Sequence, residues 1–182
     1  MKVIIEDDNW DDMETEIETL LKEYETTVSA GLNIFEDGSQ WLHYYNHQSI
    51  KNKMSEQFKK RLQTTIDRMM NNPEIQWNLF DAWINFIEPN LSKIEPFHRD
   101  INKDVVLVHY PKFNKEIKGG EFQWVENENT PQQEVKSIKP QAGTGTNVLL
   151  LECPQHRVTS VTEGIRWSFV FFCHKRKDKH FL

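Results

Sequence analysis

The chain has few cysteines, and they are not arranged for metal binding or cross-linking. Its 182 residues contain two, Cys153 and Cys173, and no Cys-x-x-Cys pair. This usage favours a reducing compartment and buried free thiols over a disulfide framework or a zinc knuckle. We interpret both residues as packing residues rather than nucleophiles, because no histidine-based triad is indicated around them.

The sequence also lacks long apolar runs and clustered basic residues. No run approaches the length needed to cross a membrane, and the opening Met-Lys-Val-Ile-Ile reaches Glu6 before a signal-peptide core could form. We therefore expect a soluble cytoplasmic protein without a membrane partner. The net charge of −6 and the pI near 5.7 argue against a nucleic-acid partner, since phosphate neutralisation needs clustered Lys and Arg.

Large apolar side chains are present in number, with six Trp and eleven Phe, and the length suits a single domain covering 1–182. Two stretches have the apolar spacing of amphipathic helices, residues 11–28 and 54–70. Asn71-Asn72-Pro73 should end the second helix. The segment 33–46 surrounds an Asp-Gly turn signal and is either a hairpin or an irregular packed loop. Residues 1–73 are thus predicted to be mainly helical support.

After Pro73 the chain consists of short runs rich in β-branched and aromatic residues, separated by turn residues. The predicted strands are 77–87, 105–110, 121–125, 135–138, 147–151, 157–161 and 166–173. The polar stretch 126–133 is predicted to be a surface loop. This spacing predicts an α+β protein whose 74–175 region is a double-stranded β-helix, a jelly-roll or cupin-like core with a mouth lined by inward-facing side chains.

Three residues are candidate metal ligands. His98 and Asp100 stand two residues apart, so on an extended chain both side chains leave the same face. His156 lies downstream, and two imidazoles with one carboxylate make the facial triad of non-haem Fe(II) oxygenases. Arg166 and Ser168 repeat the period-two spacing, and a guanidinium beside a hydroxyl is suited to binding a carboxylate.

The residues from about Trp83 to Cys173 resemble the iron(II)- and 2-oxoglutarate-dependent oxygenases, in particular the prolyl-hydroxylase-like branch. The resemblance is carried by the His-Arg-Asp of 98–100, the Gly-Gly-Glu-Phe of 119–122, and the pattern H-x-V-x-x-V-x-x-G-x-R-x-S that runs from His156 to Ser168. Each element is common alone, but their joint order and spacing are specific.

The resemblance implies that His98, Asp100 and His156 bind Fe(II), and that Arg166 pairs with the distal carboxylate of the co-substrate 2-oxoglutarate, assisted by Ser168. It further implies a dioxygen-dependent hydroxylation of an unactivated C–H bond, with release of succinate and CO2. The primary substrate is expected to be a small molecule or a peptide, with peptidyl proline or an amino-acid-like compound as the first candidates.

Several alternatives stay open at this stage. The family often places a Tyr on the strand after His-x-Asp to bind the same carboxylate, and this chain offers both His109 and Tyr110, of which strand alternation allows one. Arg166 could instead pair with Glu163. A non-catalytic cupin-like module that binds a metal and a small acid is the alternative function. The sequence does not indicate an oligomeric state.

Overall fold

A computed structural model of the chain describes residues 2–27, 46–71, 77–89, 96–100, 103–112, 114–128 and 131–175. These residues form two α-helices, α1 (Glu14–Thr27), which follows a 3-10 turn at Asp11–Met13, and α2 (Glu56–Met70). They also form the strands β1 (Lys2–Asp7), β2 (Asn46–Ser49), β3 (Trp77–Ile87), β4 (Val105–Tyr110), β5 (Lys118–Gly119), β6 (Phe122–Glu126), β7 (Glu134–Ile138), β8 (Thr146–Leu151), β9 (His156–Val158), β10 (Val161–Glu163) and β11 (Arg166–Lys175).

Both predicted helices are present, and α2 ends where the Asn71-Asn72-Pro73 signal predicts. Ser55 caps its first turn by accepting a 3.1 Å hydrogen bond from the backbone N–H of Phe58, and Asn71 ends it in the left-handed region at φ 51°. Neither helix in the described part of the chain has the length and apolar character of a membrane-spanning segment. Residues 28–45, which include most of the predicted hairpin or loop, lie outside the described residues.

Six strands form one antiparallel sheet in the order β1-β8-β4-β11-β3-β2. Two smaller sheets, β7-β6-β9 and β10-β5, complete the strand set. The runs at 77–87 and 105–110 are strands with the predicted bounds, whereas the predicted strand 157–161 is divided between β9 and β10. Neither β1 nor β2 was predicted. Both pair with strands of the C-terminal region, which supports our proposal that the chain is one domain.

The six-stranded sheet has an apolar core on each face. Helices α1 and α2 pack on one face, against residues such as Leu107 and Phe169. The other face carries Val106, Val108 and Tyr110 and packs against Phe122 of β6. Because β4 is covered on both sides, all six of its residues are buried and its alternate side chains enter different cores.

Candidate metal and carboxylate site

A cavity lies between the six-stranded sheet and strands β6 and β9. Its empty volume is about 520 Å³, part of which is open to solvent. All six predicted site residues line it, from the candidate metal ligands to the candidate carboxylate clamp. The lining residues are Trp83, Asn85, His98, Asp100, Val106, Val108, Tyr110, Phe122, His156, Val158, Arg166, Ser168, Val170 and Phe172.

The three candidate metal ligands come together at one side of this cavity. Each of His98, Asp100 and His156 offers one ligand atom, and these atoms all lie within 4.8 Å of one another. Nε2 of His156 is 3.6 Å from Oδ2 of Asp100, and the two imidazole centroids are 4.5 Å apart. His156 is contributed by β9, and His98 is joined to it by a pair of backbone hydrogen bonds of 2.9 and 3.0 Å.

Nδ1 of each candidate histidine ligand has a backbone carbonyl as its partner. Nδ1 of His98 lies 3.1 Å from the carbonyl oxygen of Pro96, and Nδ1 of His156 lies 2.8 Å from the carbonyl oxygen of Pro154. Because a carbonyl can only accept, each Nδ1 donates the hydrogen bond, so Nε2 is the nitrogen available to a metal. Such a partner for the distal nitrogen is typical of metal-ligating histidines.

The electrostatics of the cluster agree with this state. Burial lowers the pKa of His156, and the nearby His98 lowers it further, although Asp100 acts in the opposite direction. The imidazole is therefore neutral at neutral pH, as a ligand must be. The thiol of Cys153 donates to Oδ2 of Asp100 at 3.6 Å, and burial together with the Asp100 charge raises its pKa to about 12.

A buried guanidinium occupies another part of the cavity. Arg166 is only 2% exposed, and its Nη2 donates to the hydroxyl of Tyr110 at 2.5 Å while Nη1 lies 3.4 Å from Oγ of Ser168. Among the described residues, its Nε has no hydrogen-bond partner and no carboxylate pairs with it. Burial raises the pKa of Tyr110 despite the nearby charge, so its hydroxyl keeps a proton to donate.

The placements of Tyr110, His109 and Glu163 bear on the alternatives for the tyrosine and the arginine. Tyr110 faces the cavity, whereas His109 faces the helices and stacks on Trp10 with ring centroids 4.1 Å apart. Glu163 is exposed and pairs with Lys118 at 2.7 Å. The interpretation of Arg166 as the partner of Glu163 therefore finds no support in the ion pairs.

The two glycines of the predicted turn, Gly119 and Gly120, let neighbouring atoms approach the backbone closely beside Arg166. Gly119 pairs with Val161 across β5 and β10, and a Cβ there would lie 1.9 Å from the carbonyl oxygen of Ser160. A Cβ on Gly120 would lie 3.0 Å from Cδ of Arg166. Both have positive φ, 74° and 67°, which glycine adopts without strain. Gly120 thus leaves room for the Arg166 side chain, and Gly119 for the Ser160 backbone.

Sequence reasoning missed some residues of the site. Asn85 lines the cavity from β3, is only 8% exposed, and its Oδ1 has no hydrogen-bond partner among the described residues. Its register neighbour on β11 is Ser168. Strand β3 also contains Asn78 and Asp81, so its sequence does not single out Asn85. The repeated Pro-x-His at Pro96 and Pro154 was an available signal for the carbonyl partners of the two histidines.

No protein-family model matches the sequence, and a search of curated proteins also finds no match. Solved structures do match. A prolyl hydroxylase from Trichoplax adhaerens, in complex with a hypoxia inducible factor oxygen degradation domain peptide fragment, is 14% identical with a TM-score of 0.62, over 94% of this chain and 82% of that one. The viral collagen prolyl hydroxylase of Paramecium Bursaria Chlorella virus-1, in complex with 2OG, is 13% identical with a TM-score of 0.58, over 95% and 96%.

A protein named for another reaction also matches this fold. The alpha-ketoglutarate-dependent carbocyclase SnoK from nogalamycin biosynthesis is 10% identical with a TM-score of 0.61, over 90% of this chain and 75% of that one. The chain spans 55% of the length of a 2OG-Fe(II) oxygenase family oxidoreductase from Burkholderia pseudomallei, at 20% identity, 68% coverage of this chain and a TM-score of 0.49. The likenesses with TM-scores above 0.5 confirm the predicted double-stranded β-helix, the fold of 2-oxoglutarate-dependent oxygenases.

Proposed function

We propose that the protein is an Fe(II)- and 2-oxoglutarate-dependent oxygenase. His98, Asp100 and His156 would hold Fe(II), and Arg166 would bind the distal carboxylate of 2-oxoglutarate. One observation carries the proposal. A buried guanidinium without a carboxylate partner among the described residues lies in the same cavity as a three-residue cluster with the ligand set of a facial triad.

The arginine favours an anionic co-substrate for an energetic reason. Burying a cation without a counter-charge costs several kcal/mol, on the order of the desolvation penalty of an ion in a protein interior. The hydroxyls of Tyr110 and Ser168 contact Arg166 but carry no charge. A carboxylate bound beside Nε would neutralise the guanidinium and could accept a further hydrogen bond from Tyr110.

The three candidate metal ligands supply the other half of the site. His98, Asp100 and His156 would supply two imidazoles and one carboxylate to Fe(II), which when bound would supply the chemistry by which dioxygen oxidises a C–H bond and converts 2-oxoglutarate to succinate and CO2. The protein orients these groups. Pro96 and Pro154 fix the two imidazoles, and apolar residues such as Val108 and Val170 limit the access of water.

Hydroxylation of a peptidyl proline or a small amino-acid-like compound is our first candidate reaction. The prolyl hydroxylases with this fold support it, and one of them is in complex with a peptide fragment. In this chain the rings of Trp83 and Phe172 form an edge-to-face pair with centroids 4.8 Å apart on the cavity wall. Such a wall suits an apolar substrate group, and Asn85 adds a polar group beside it.

The co-substrate assignment can be tested with Arg166→Ala. Loss of one partner of a buried charge pair costs about 2–5 kcal/mol, so the Kd for 2-oxoglutarate should rise about 30-fold or more. The Kd for Fe(II), measured by calorimetry under argon, should change little. Arg157→Ala is the matched control, because the Arg157 side chain contacts Gln123 and the Phe97 ring rather than the cavity. Equal losses of Fe(II) and 2-oxoglutarate affinity in Arg166→Ala would contradict the assignment.

A further inference from the structure

The carboxylate of Glu128 contacts both chain segments that carry the candidate metal ligands. Oε2 accepts a hydrogen bond from Nη2 of Arg99, which stands between His98 and Asp100. Oε1 accepts one from the backbone N–H of Gln155, the residue before His156. The Glu128 side chain is only 4% exposed, so this carboxylate is buried with both oxygens in use.

Residues 96–100 contain no strand, and side-chain contacts supplement the bridge that joins His98 to His156 on β9. The Cys153 thiol donates to Asp100 at 3.6 Å, and the Arg157 guanidinium lies 4.2 Å from the centroid of the Phe97 ring. Nη1 of Arg99 also donates a 3.4 Å hydrogen bond to the carbonyl oxygen of Cys153. Glu128 reaches this place from beyond the end of β6, so it joins a third part of the chain to the ligand segments.

We propose that Glu128 is a positioning residue that sets the metal affinity of the site. Its buried charge holds Arg99 and Gln155 in place, and thereby keeps the three ligand atoms close together before a metal arrives. The inference rests on the proposed function in so far as His98, Asp100 and His156 bind Fe(II). Groups that orient metal ligands through hydrogen bonds typically contribute 10- to 100-fold to metal affinity.

The test is Fe(II) binding to the full chain, measured by calorimetry under argon without co-substrate. Glu128→Gln keeps the size of the side chain and an oxygen that can accept from Gln155, but it removes the charge that pairs with Arg99. Its Kd for Fe(II) should rise about 10- to 100-fold, and Glu128→Ala should lose more. Glu134→Gln is the matched control, since Glu134 is exposed and pairs with Lys136, and it should stay within about twofold of the wild type.

A purely structural role predicts a different result. In that case Glu128→Gln would lower the melting temperature of the metal-free protein but leave its Fe(II) affinity within about twofold of the wild type. That result would overturn the inference. If Glu128→Gln does not fold, Arg99→Met breaks the same ion pair from its more exposed side and should weaken Fe(II) binding likewise. An unchanged affinity in Arg99→Met would equally overturn it.

Fe(II) binding is also measured for the double variant of Arg99→Met and Glu128→Gln. Its loss of binding free energy should be smaller than the sum of the two single losses, because both substitutions remove the same contact. Additive losses would contradict the mechanism. A wild-type protein that binds no Fe(II) would contradict the proposed function, and this inference with it. Wild-type binding with an unchanged affinity in Glu128→Gln would contradict this inference alone.

Discussion

Acidification should destabilise the protein through His109. This residue lies on β4 with no exposed surface, its ring is stacked on Trp10 at an interplanar angle of 9°, and Nδ1 is 2.9 Å from Oδ1 of Asn147. Burial lowers the pKa of His109 from 6.5 to about 4, and the contact with Asn147 offsets only part of that shift. The folded protein therefore keeps this imidazole neutral at pH values where the unfolded chain protonates it.

The sign and size of the effect follow from proton linkage. The contribution is fully present above the unfolded pKa of 6.5 and is lost as pH falls towards the folded pKa of about 4. A difference of about 2.5 pKa units corresponds to about 3.4 kcal/mol in total, at 1.36 kcal/mol per unit. At pH 5 the same relation gives a loss of about 2 kcal/mol relative to pH 7.5.

Urea unfolding at pH 7.5 and pH 5.0 measures this loss, with His109→Phe as the reference. Phenylalanine keeps a ring on Trp10 but cannot titrate, and other groups such as Asp8, whose pKa is also shifted, titrate in both proteins. Between the two pH values the wild type should lose about 2 kcal/mol more than the variant. Equal losses in the two proteins would refute the reasoning, since His109 would then not be the group that stays neutral in the fold.

Two further predictions concern the glycines and the thiols. Gly119→Ala should destabilise the protein by about 2 kcal/mol or more, because its Cβ would lie 1.9 Å from the Ser160 carbonyl oxygen. Gly143 also has positive φ, but no described atom would lie within 4 Å of its Cβ, so Gly143→Ala should cost only about 1 kcal/mol. Equal unfolding midpoints of the two variants in urea would contradict this. Burial raises the pKa of Cys153 and of Cys173 to about 12, so at pH 8 a thiol reagent should react with them only after denaturation, and rapid reaction of the native protein would contradict the burial.

Much of the fold could be predicted because its signals are local. Strands β3 and β4 have the predicted bounds, since dense β-branched and aromatic runs flanked by polar residues mark a buried strand. The C-terminal end of α2 was equally visible in Asn71. Period-two spacing predicted that His98 and Asp100 point the same way, and the structure does place them in one cluster.

The features that were missed depend on contacts between distant parts of the chain. Strand β1 is short and sits at a sheet edge, so its pattern is weak, and its pairing with β8 has no local signal. Strand β4 is buried on both faces, so alternation could not tell which of His109 and Tyr110 faces the cavity. Nothing near Glu128 in the sequence indicates its pairing with Arg99. The substrate depends on side chains around the cavity that carry no recognisable pattern.

The most direct test of the central claim is spectroscopic. Fe(II) and 2-oxoglutarate are added under argon to the wild type and to His98→Ala, the visible charge-transfer band of the chelate is recorded, and oxygen is then admitted and succinate assayed with candidate prolyl peptides and amino acids. We predict the band and succinate in the wild type and neither in His98→Ala. A band without succinate would favour the non-catalytic metal- and acid-binding module, and a wild type with neither signal above the variant would contradict the account.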